Sequence, residues 1–483
     1  MTILFGIISI LTIVLLFGGT IFVHELGHFL TAKWCGLRID AFSIGMGPPI
    51  WQKKVNGVVY KVCWLPLGGY VALPQMDPTG SMKFEKGQDN EPDIEIPPVA
   101  PWKRIVVAVA GATMNVGLAL ILSTIVWKVG MDKNLSLEQL PCILGTVEEE
   151  SHAAELGLES LDQIISVNGK ATPTIEKVFT EIALSDEVKI GVLRNGVTNI
   201  VSTTPRKNQL GMLAIEGFYL YTDVTVGDLL PNLPAAKSGL KKFDKIRSVN
   251  GSEIYGRGEF INAVAENEDQ SILLGVERPR EDGTVEKLAI TLTPEFSKEH
   301  QRAMIGIAFL QVKEYPTPKA QIKYYAGAVF RTLSALTDRD EAKHVINMVQ
   351  GPVGIATNFW SFLQIGLIKA IWFTALININ LAILNLLPVP ILDGSHIVYA
   401  LIEILTGRKM AEKLVLGLTN AFMILLISFI MFVTYKDIWR QVKTREINIE
   451  AREENAARRE ARDNARQESP AAPETPAPAV PAP

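Results

Sequence analysis

Four stretches of this chain carry no charged side chain over a length that crosses a bilayer core of about 30 Å: Met1 to Val23, Ile105 to Trp127, Ala370 to Leu392 and Leu414 to Tyr435. In hydrocarbon, backbone polar groups must be satisfied within their own segment, so these runs are expected to form four transmembrane helices. A fifth uncharged run, Val345 to Ile368, contains Gln350, Gly351, Pro352, Gly354, Asn358 and Gln364, and reads as interfacial or as a lead-in to the third span. The first run is too long for the apolar region of a signal peptide and lacks a small-residue cleavage site.

What ends the first span sets the chemistry. His24-Glu25-Leu26-Gly27-His28 is the pattern H-E-x-x-H. On a helix the i, i+4 spacing puts both imidazoles on one face, where they can hold zinc while Glu25 stands beside a metal-bound water. A lone histidine on an apolar helix is usually a satisfied core residue. Here two of only six histidines take ligand spacing inside a segment where ionisable groups are costly, which favours the metal.

A catalytic zinc takes a third protein ligand and keeps one position open. Asp393 is the candidate: it ends Asn385-Leu386-Leu387-Pro388-Val389-Pro390-Ile391-Leu392-Asp393-Gly394, where two prolines should interrupt the third span and expose backbone. The plainer alternative is a helix end whose carboxylate reaches the membrane surface. Cys35, Cys63 and Cys142 are too few and odd in number for a disulfide framework, and none lies in a Cys/His cluster.

With 48% hydrophobic and 20% charged residues, the chain should combine membrane segments with soluble domains, and its net charge of −4 argues against nucleic acid as a partner. Lys33, Arg38, Lys53, Lys54, Lys61, Lys83, Lys86, Lys103 and Arg104 follow span one, and Arg408, Lys409 and Lys413 follow span three. Both loops are therefore expected on the cytoplasmic side, against the opposing vote of Lys436, Arg440, Lys443 and Arg445 after span four.

Between the spans, Phe42 to Leu73 predicts extended structure: a Gly45-Met46-Gly47-Pro48-Pro49 turn, then two runs joined at Asn56-Gly57, the strongest short hairpin signal. It is either local loop structure or an edge that pairs with an extended substrate strand. Asp77 to Pro101 reads as a flexible loop. Asn115, inside span two, is either a helix–helix hydrogen bond or a substrate contact.

From Met131 to about Pro316 the chain repeats itself. Ala153-Ala154, Gly157-Leu158, Asp162, Ile164 and Val167-Asn168-Gly169 return as Ala235-Ala236, Gly239-Leu240, Asp244, Ile246 and Val249-Asn250-Gly251, at an offset of 82 residues. Each unit is expected to close with a similar strand, Leu210-Gly211-Met212 and Ile305-Gly306-Ile307, and Asp162 and Asp244 read as turn-formers. The pattern resembles bacterial PDZ domains, which bind extended peptides or chain ends at a sheet edge; a tandem spacer that filters by bulk is the alternative. Ala320 to Met348 predicts an amphipathic surface helix, Thr444 to Arg466 a helix, and Ser469 to Pro483 a disordered tail.

H-E-x-x-H in the first span, N-x-x-P-x-P-x-L-D-G in the third and tandem PDZ repeats between spans two and three together resemble the bacterial regulator-of-sigma-E branch of the site-2 proteases, intramembrane zinc metalloproteases of the inner membrane. The resemblance covers the chain to about Arg445. It implies that His24, His28 and Asp393 bind Zn2+, that Glu25 is the catalytic base, and that Asn380 and Asn385, with Asn115, lie near the substrate. Two departures stand out: Gly111-Ala112-Thr113-Met114-Asn115 where the family has Gly-Pro-x-x-Asn, and Gly45-Met46-Gly47 where it has Gly-Phe-Gly.

The expected class is a polytopic α-helical membrane protein with four transmembrane helices and two inserted PDZ-like, mostly-β domains. Residues 1–30 form the first span, 31–103 a cytoplasmic loop with a membrane-associated hairpin, 104–128 the second span, and 129–220 and 221–315 the repeats outside the cytoplasm. Residues 316–368 form amphipathic and interfacial helices, 369–394 the third span, 414–435 the fourth, and 436–483 a polar tail. By the resemblance, the substrates are single-span proteins such as a trimmed anti-sigma factor or remnant signal peptides, with the PDZ pair contacting or gating them outside the membrane and the lipid bilayer as the further partner. The rival reading is a non-proteolytic scaffold that presents tandem PDZ domains. A transporter would show inverted repeats and broken helix pairs, which are absent.

Overall fold

A computed structural model describes residues 2–76, 98–132, 140–297 and 302–468. The loop expected from Asp77 lies mostly outside these residues, and so does the tail from Ser469. Four described helices are long and apolar enough to cross a membrane. The first, α1, runs Thr2–Cys35, 34 residues, so the histidine motif is a continuation of the span rather than its end. The second, α2, runs Pro101–Val129, with Pro101 at its first turn, where a missing N–H costs nothing.

Between them, β1 (Ala41–Val55) and β2 (Val58–Ala72) pair antiparallel across Asn56 and Gly57, both at positive φ, as a tight primed turn requires. The expected Gly45–Pro49 turn does not form: these residues belong to β1, in a register that slips from Met46 opposite Leu65 to Pro49 opposite Cys63. Proline lacks the ladder donor, and Gly45 and Gly47 at positive φ let the strand bulge past it. Phe42 faces both Tyr60 and Val71, so the ribbon folds back on itself with residues 69–72 at its outer edge.

Each repeat builds its own apolar core, one around Leu144, Ile164 and Ile190, the other around Ile246, Ile272 and Leu274. The short helices α3 (His152–Glu155) and α5 (Pro234–Lys237) correspond, as do α4 (Ile175–Ala183) and α6 (Arg257–Glu266). Ser166 opposes Gly191 as Ser248 opposes Gly275, and in both copies a methyl group on the glycine would lie 2.2 Å from the serine Oγ. Asp162 and Asp244 hold turns by accepting from Glu159 N–H and Lys241 N–H; each is also fully buried and grips an arginine, Arg194 or Arg278, through both oxygens at 2.7 Å. The closing segments differ from expectation. Ala153 N–H bonds Glu216 O where Ala235 N–H bonds Ile305 O, so Ile305-Gly306-Ile307 corresponds to Glu216-Gly217-Phe218.

The amphipathic stretch is two helices, α7 (Pro318–Thr337) and α8 (Arg339–Met348), because Asp338 turns the chain and accepts from the N–H groups of Asp340 and Glu341. The fifth uncharged run becomes α9 (Pro352–Ile365), and Gly366 separates it from α10 (Leu367–Asn385). That third span stops seven residues short of the expected Leu392, since Pro388 and Pro390 cannot continue it. After the break, α11 starts at Asp393 and runs to Thr406. The fourth span and the expected 444–466 helix are one element, α12 (Glu412–Glu468), whose Ala, Glu and Arg content and lack of proline favour continuity.

At the centre stands α2, packed against α1, α10, α11 and α7. Helix α12 instead reaches the rest through α9: buried Asp437 accepts from Gly351 and Gly354 N–H at 2.8 and 2.7 Å, and Lys436 donates to Val349 O at 2.8 Å. A second junction docks the first repeat on α7 and α8. There Arg331 bonds Glu181 at 2.8 Å and Glu341 at 2.7 Å, over a contact of Leu184, Ala335 and Val345.

Arg331 holds the Glu341 carboxyl below the usual carboxylate range. A carboxyl depressed in the folded state stabilises it above its unfolded value, about 4.3, and that contribution is lost as pH falls through the depressed value. Crosslinking between cysteines introduced on α4 and α8 should therefore persist from neutral pH to about 5 and decline below about 4. Glu341→Gln should weaken it at neutral pH.

Candidate metal centre

His24 and His28 are one helical turn apart on α1, and both are buried. Asp393, the first residue of α11, comes to the same point from a second helix packed on α2. His24 Nε2 and His28 Nε2 are 3.2 Å apart, and Asp393 Oδ2 lies 3.2 Å from the first and 3.3 Å from the second. Among the described residues these three form the one cluster of His, Cys, Asp and Glu able to share a metal ion. Cys35 and Cys63 are buried elsewhere, Cys63 beside Ser43.

The tautomers follow from the outer contacts. Val107 O, 2.8 Å from His28 Nδ1, can only accept, so the proton is on Nδ1 and Nε2 presents a lone pair. At His24 Nδ1, the Asn115 amide is drawn with its nitrogen 3.2 Å away and its buried Oδ1 without a partner. Turning that amide over satisfies both groups: Oδ1 accepts from Nδ1–H, and His24 Nε2 is bare as well. Asp393 Oδ2 is also buried without a donor in hydrogen-bonding geometry, although two ring nitrogens are in ion-pair range. With the amide in that orientation, the lone pairs of both Nε2 atoms and of Asp393 Oδ2 face one point.

Zinc fits that triangle. Tetrahedral bonds of about 2.0 Å place neighbouring ligand atoms about 3.3 Å apart, the separation found here. Three protein ligands leave a fourth position, the arrangement of a catalytic rather than a structural site. Both histidines have outer partners that orient them, as metal-bound imidazoles require.

Glu25 lies on the same stretch of α1, under the edge of the hairpin. The Val71 N–H donates to its carboxylate, and a methyl group on Gly69 would come within 3.0 Å of its Cγ. Of the asparagines, Asn115 touches His24 as described and is fully buried. Asn385 Nδ2 is 3.2 Å from His24 Nε2, at the rim of the centre. Asn380 is not brought to the cluster by any described contact, and its Oδ1 is buried without a partner. The buried polar contact in that part of α10 is Asn378, which donates to Thr20 of α1 at 2.9 Å.

Residue-type reasoning passed over the groups that work by being small. A methyl group on Gly111 would sit 2.4 Å from His28 Nε2, and one on Gly27 2.6 Å from Ala110 O, so both glycines set how closely α2 meets α1. A methyl group on Gly394 would run into the carbonyls of Leu386 and Leu387, and Ile391, two residues before Asp393, is held at φ 97. Gly111 does carry a sequence signal, its spacing of four from Asn115 on one helix face.

A model of peptidase family M50 matches residues 12–429. The chain is similar to the regulator of sigma-W protease RasP of Bacillus subtilis, at 28% identity over 89% of this chain and 98% of the relative. It is similar to the regulator of sigma-E protease RseP of Escherichia coli, at 26% over 82% and 90%. A Neisseria meningitidis protein provisionally named a zinc metalloprotease is 29% identical over 81% and 90%.

The glycine geometry makes a sharp prediction. Gly111→Ala should weaken zinc retention by about 10-fold or more, measured by chelator competition on the purified protein. Thr113→Ala, on the same helix but exposed, should leave it unchanged.

Proposed function

The chain belongs to peptidase family M50 and is a membrane metalloprotease, and from that premise we propose that it cuts the membrane segments of single-span proteins in regulated intramembrane proteolysis. The observation that carries this reading is the triangle of His24, His28 and Asp393 with Glu25 beside it, built within one membrane-crossing helix and at the start of α11. Zinc bound there would lower the pKa of water towards about 7 and polarise the scissile carbonyl.

The remaining steps fall to the chain's own groups. Glu25 accepts the proton of the attacking water and passes it to the leaving amide nitrogen. Val71 N–H keeps the carboxylate oriented until then. A membrane helix has its backbone hydrogen bonds closed, so a substrate must unwind locally before attack. Strand pairing with residues 69–72, at the ribbon's edge directly over Glu25, offsets that loss. Asn385 and Asn115 stand beside His24, where they steady the approaching chain or the ring itself.

In this reading the centre faces the cytoplasmic side of a bacterial inner membrane and the PDZ-like pair the periplasm, which the basic residues after spans one and three support. There the pair excludes proteins whose outer domain is untrimmed. A trimmed anti-sigma factor is the substrate class that the relatives' names favour, and remnant signal peptides meet the same requirement. Helices α7 and α8 link the first repeat to the spans, which gives the gate a physical connection to the centre.

The test is Glu25→Gln incubated with a truncated single-span substrate. Cleavage should fall by about 100-fold to 10,000-fold while the zinc content of the purified protein stays at the wild-type level. Cleavage at the wild-type rate would sink the assignment.

A further inference from the structure

Helix α2 supplies no ligand, yet one of its faces touches everything that does. Val107, Gly111 and Asn115, spaced by four, meet His28, both rings and His24 in turn. One residue three positions earlier on that face has no role in the account so far: Arg104, whose guanidinium pairs with the Glu403 carboxylate. Both side chains are mostly buried, at 15% and 17% exposed.

Glu403 is on α11, ten residues and about 15 Å along the axis from Asp393. Asp393, Ala400 and Glu403 recur at spacings of seven and three, so they share one side of α11, and α2 is the helix that α11 packs against. We propose that Arg104 is a positioning residue that sets the place of Asp393 by holding Glu403, so that α2 orients all three metal ligands.

The need for such a hold lies in the connection. Asp393 follows a non-helical link with two prolines and a strained Ile391, and helix α11 has only 14 residues. A rotation of about 20° around its axis moves a side-chain atom by about 2 Å, well beyond the roughly 0.5 Å that a metal site tolerates. An ion pair removed from water resists such rotation, because parting it leaves two buried charges uncompensated. The histidines need no equivalent, since α1 is continuous through both of them.

This inference rests on the metal reading above. The experiment is zinc release to a competing chelator from the purified full-length protein, alongside its thermal unfolding midpoint. Arg104→Gln and Glu403→Gln should each weaken zinc retention about 10-fold to 100-fold, the double substitution should be no worse than the poorer single, and the exchanged pair Arg104→Glu with Glu403→Arg should recover most of the loss. Arg104→Lys, which keeps the charge but not the forked geometry, serves if the glutamine variants do not fold, and should fall between wild type and Glu403→Gln. Unchanged zinc retention with only a lowered midpoint would overturn the positioning role, and so would additive losses. Wild-type protein that binds no zinc would instead overturn the metal reading itself.

Discussion

Two imidazole Nε2 atoms and one carboxylate oxygen lie within 3.3 Å of one another, and lone pairs so close repel unless a cation or a shared proton joins them. Most of what surrounds the centre can be understood as holding that arrangement. Val107 and Asn115 hold the two imidazoles from behind, Gly111 leaves out the atoms that would fill the space, and the strained link at Ile391 delivers the one oxygen of the cluster. Each device costs some stability by itself, in an unpaired acceptor, a missing side chain or an unfavourable φ. A metal ion at the centre would satisfy all of them together.

The bilayer imposes the second constraint. Irregular backbone is tolerated at membrane depth only where protein or water covers it, and the chain places its two irregular pieces, the 386–392 link and the hairpin edge, on either side of the centre. Both leave backbone groups near Glu25 and the ligands, as a hydrolase acting on an extended chain needs. The polar junctions hold other elements together: Asp437 at the start of α9, and Arg331 between Glu181 and Glu341.

Much of this was legible from residue types. The four spans follow from uncharged length, the metal cluster from His24, His28 and Asp393 in a costly environment, and the hairpin turn from Asn56-Gly57. What pattern could not yield was where elements stop. The third span ends at Asn385 because two prolines act before the apolar run is finished, and one amphipathic stretch becomes two helices because Asp338 caps the second. Residues whose contribution is absence of bulk, such as Gly27 and Gly111, have no chemistry to announce them. Asn378 was passed over for the same kind of reason: its partner, Thr20, is supplied by a distant part of the chain.

The distance in sequence between the ligands has a consequence for biogenesis. His24 and His28 leave the ribosome before Asp393, which emerges only after both repeats and the third span. For that interval the two histidines lie in the membrane without the carboxylate and without α11. The three-residue cluster therefore assembles late, only once α11 has been made and packed on α2.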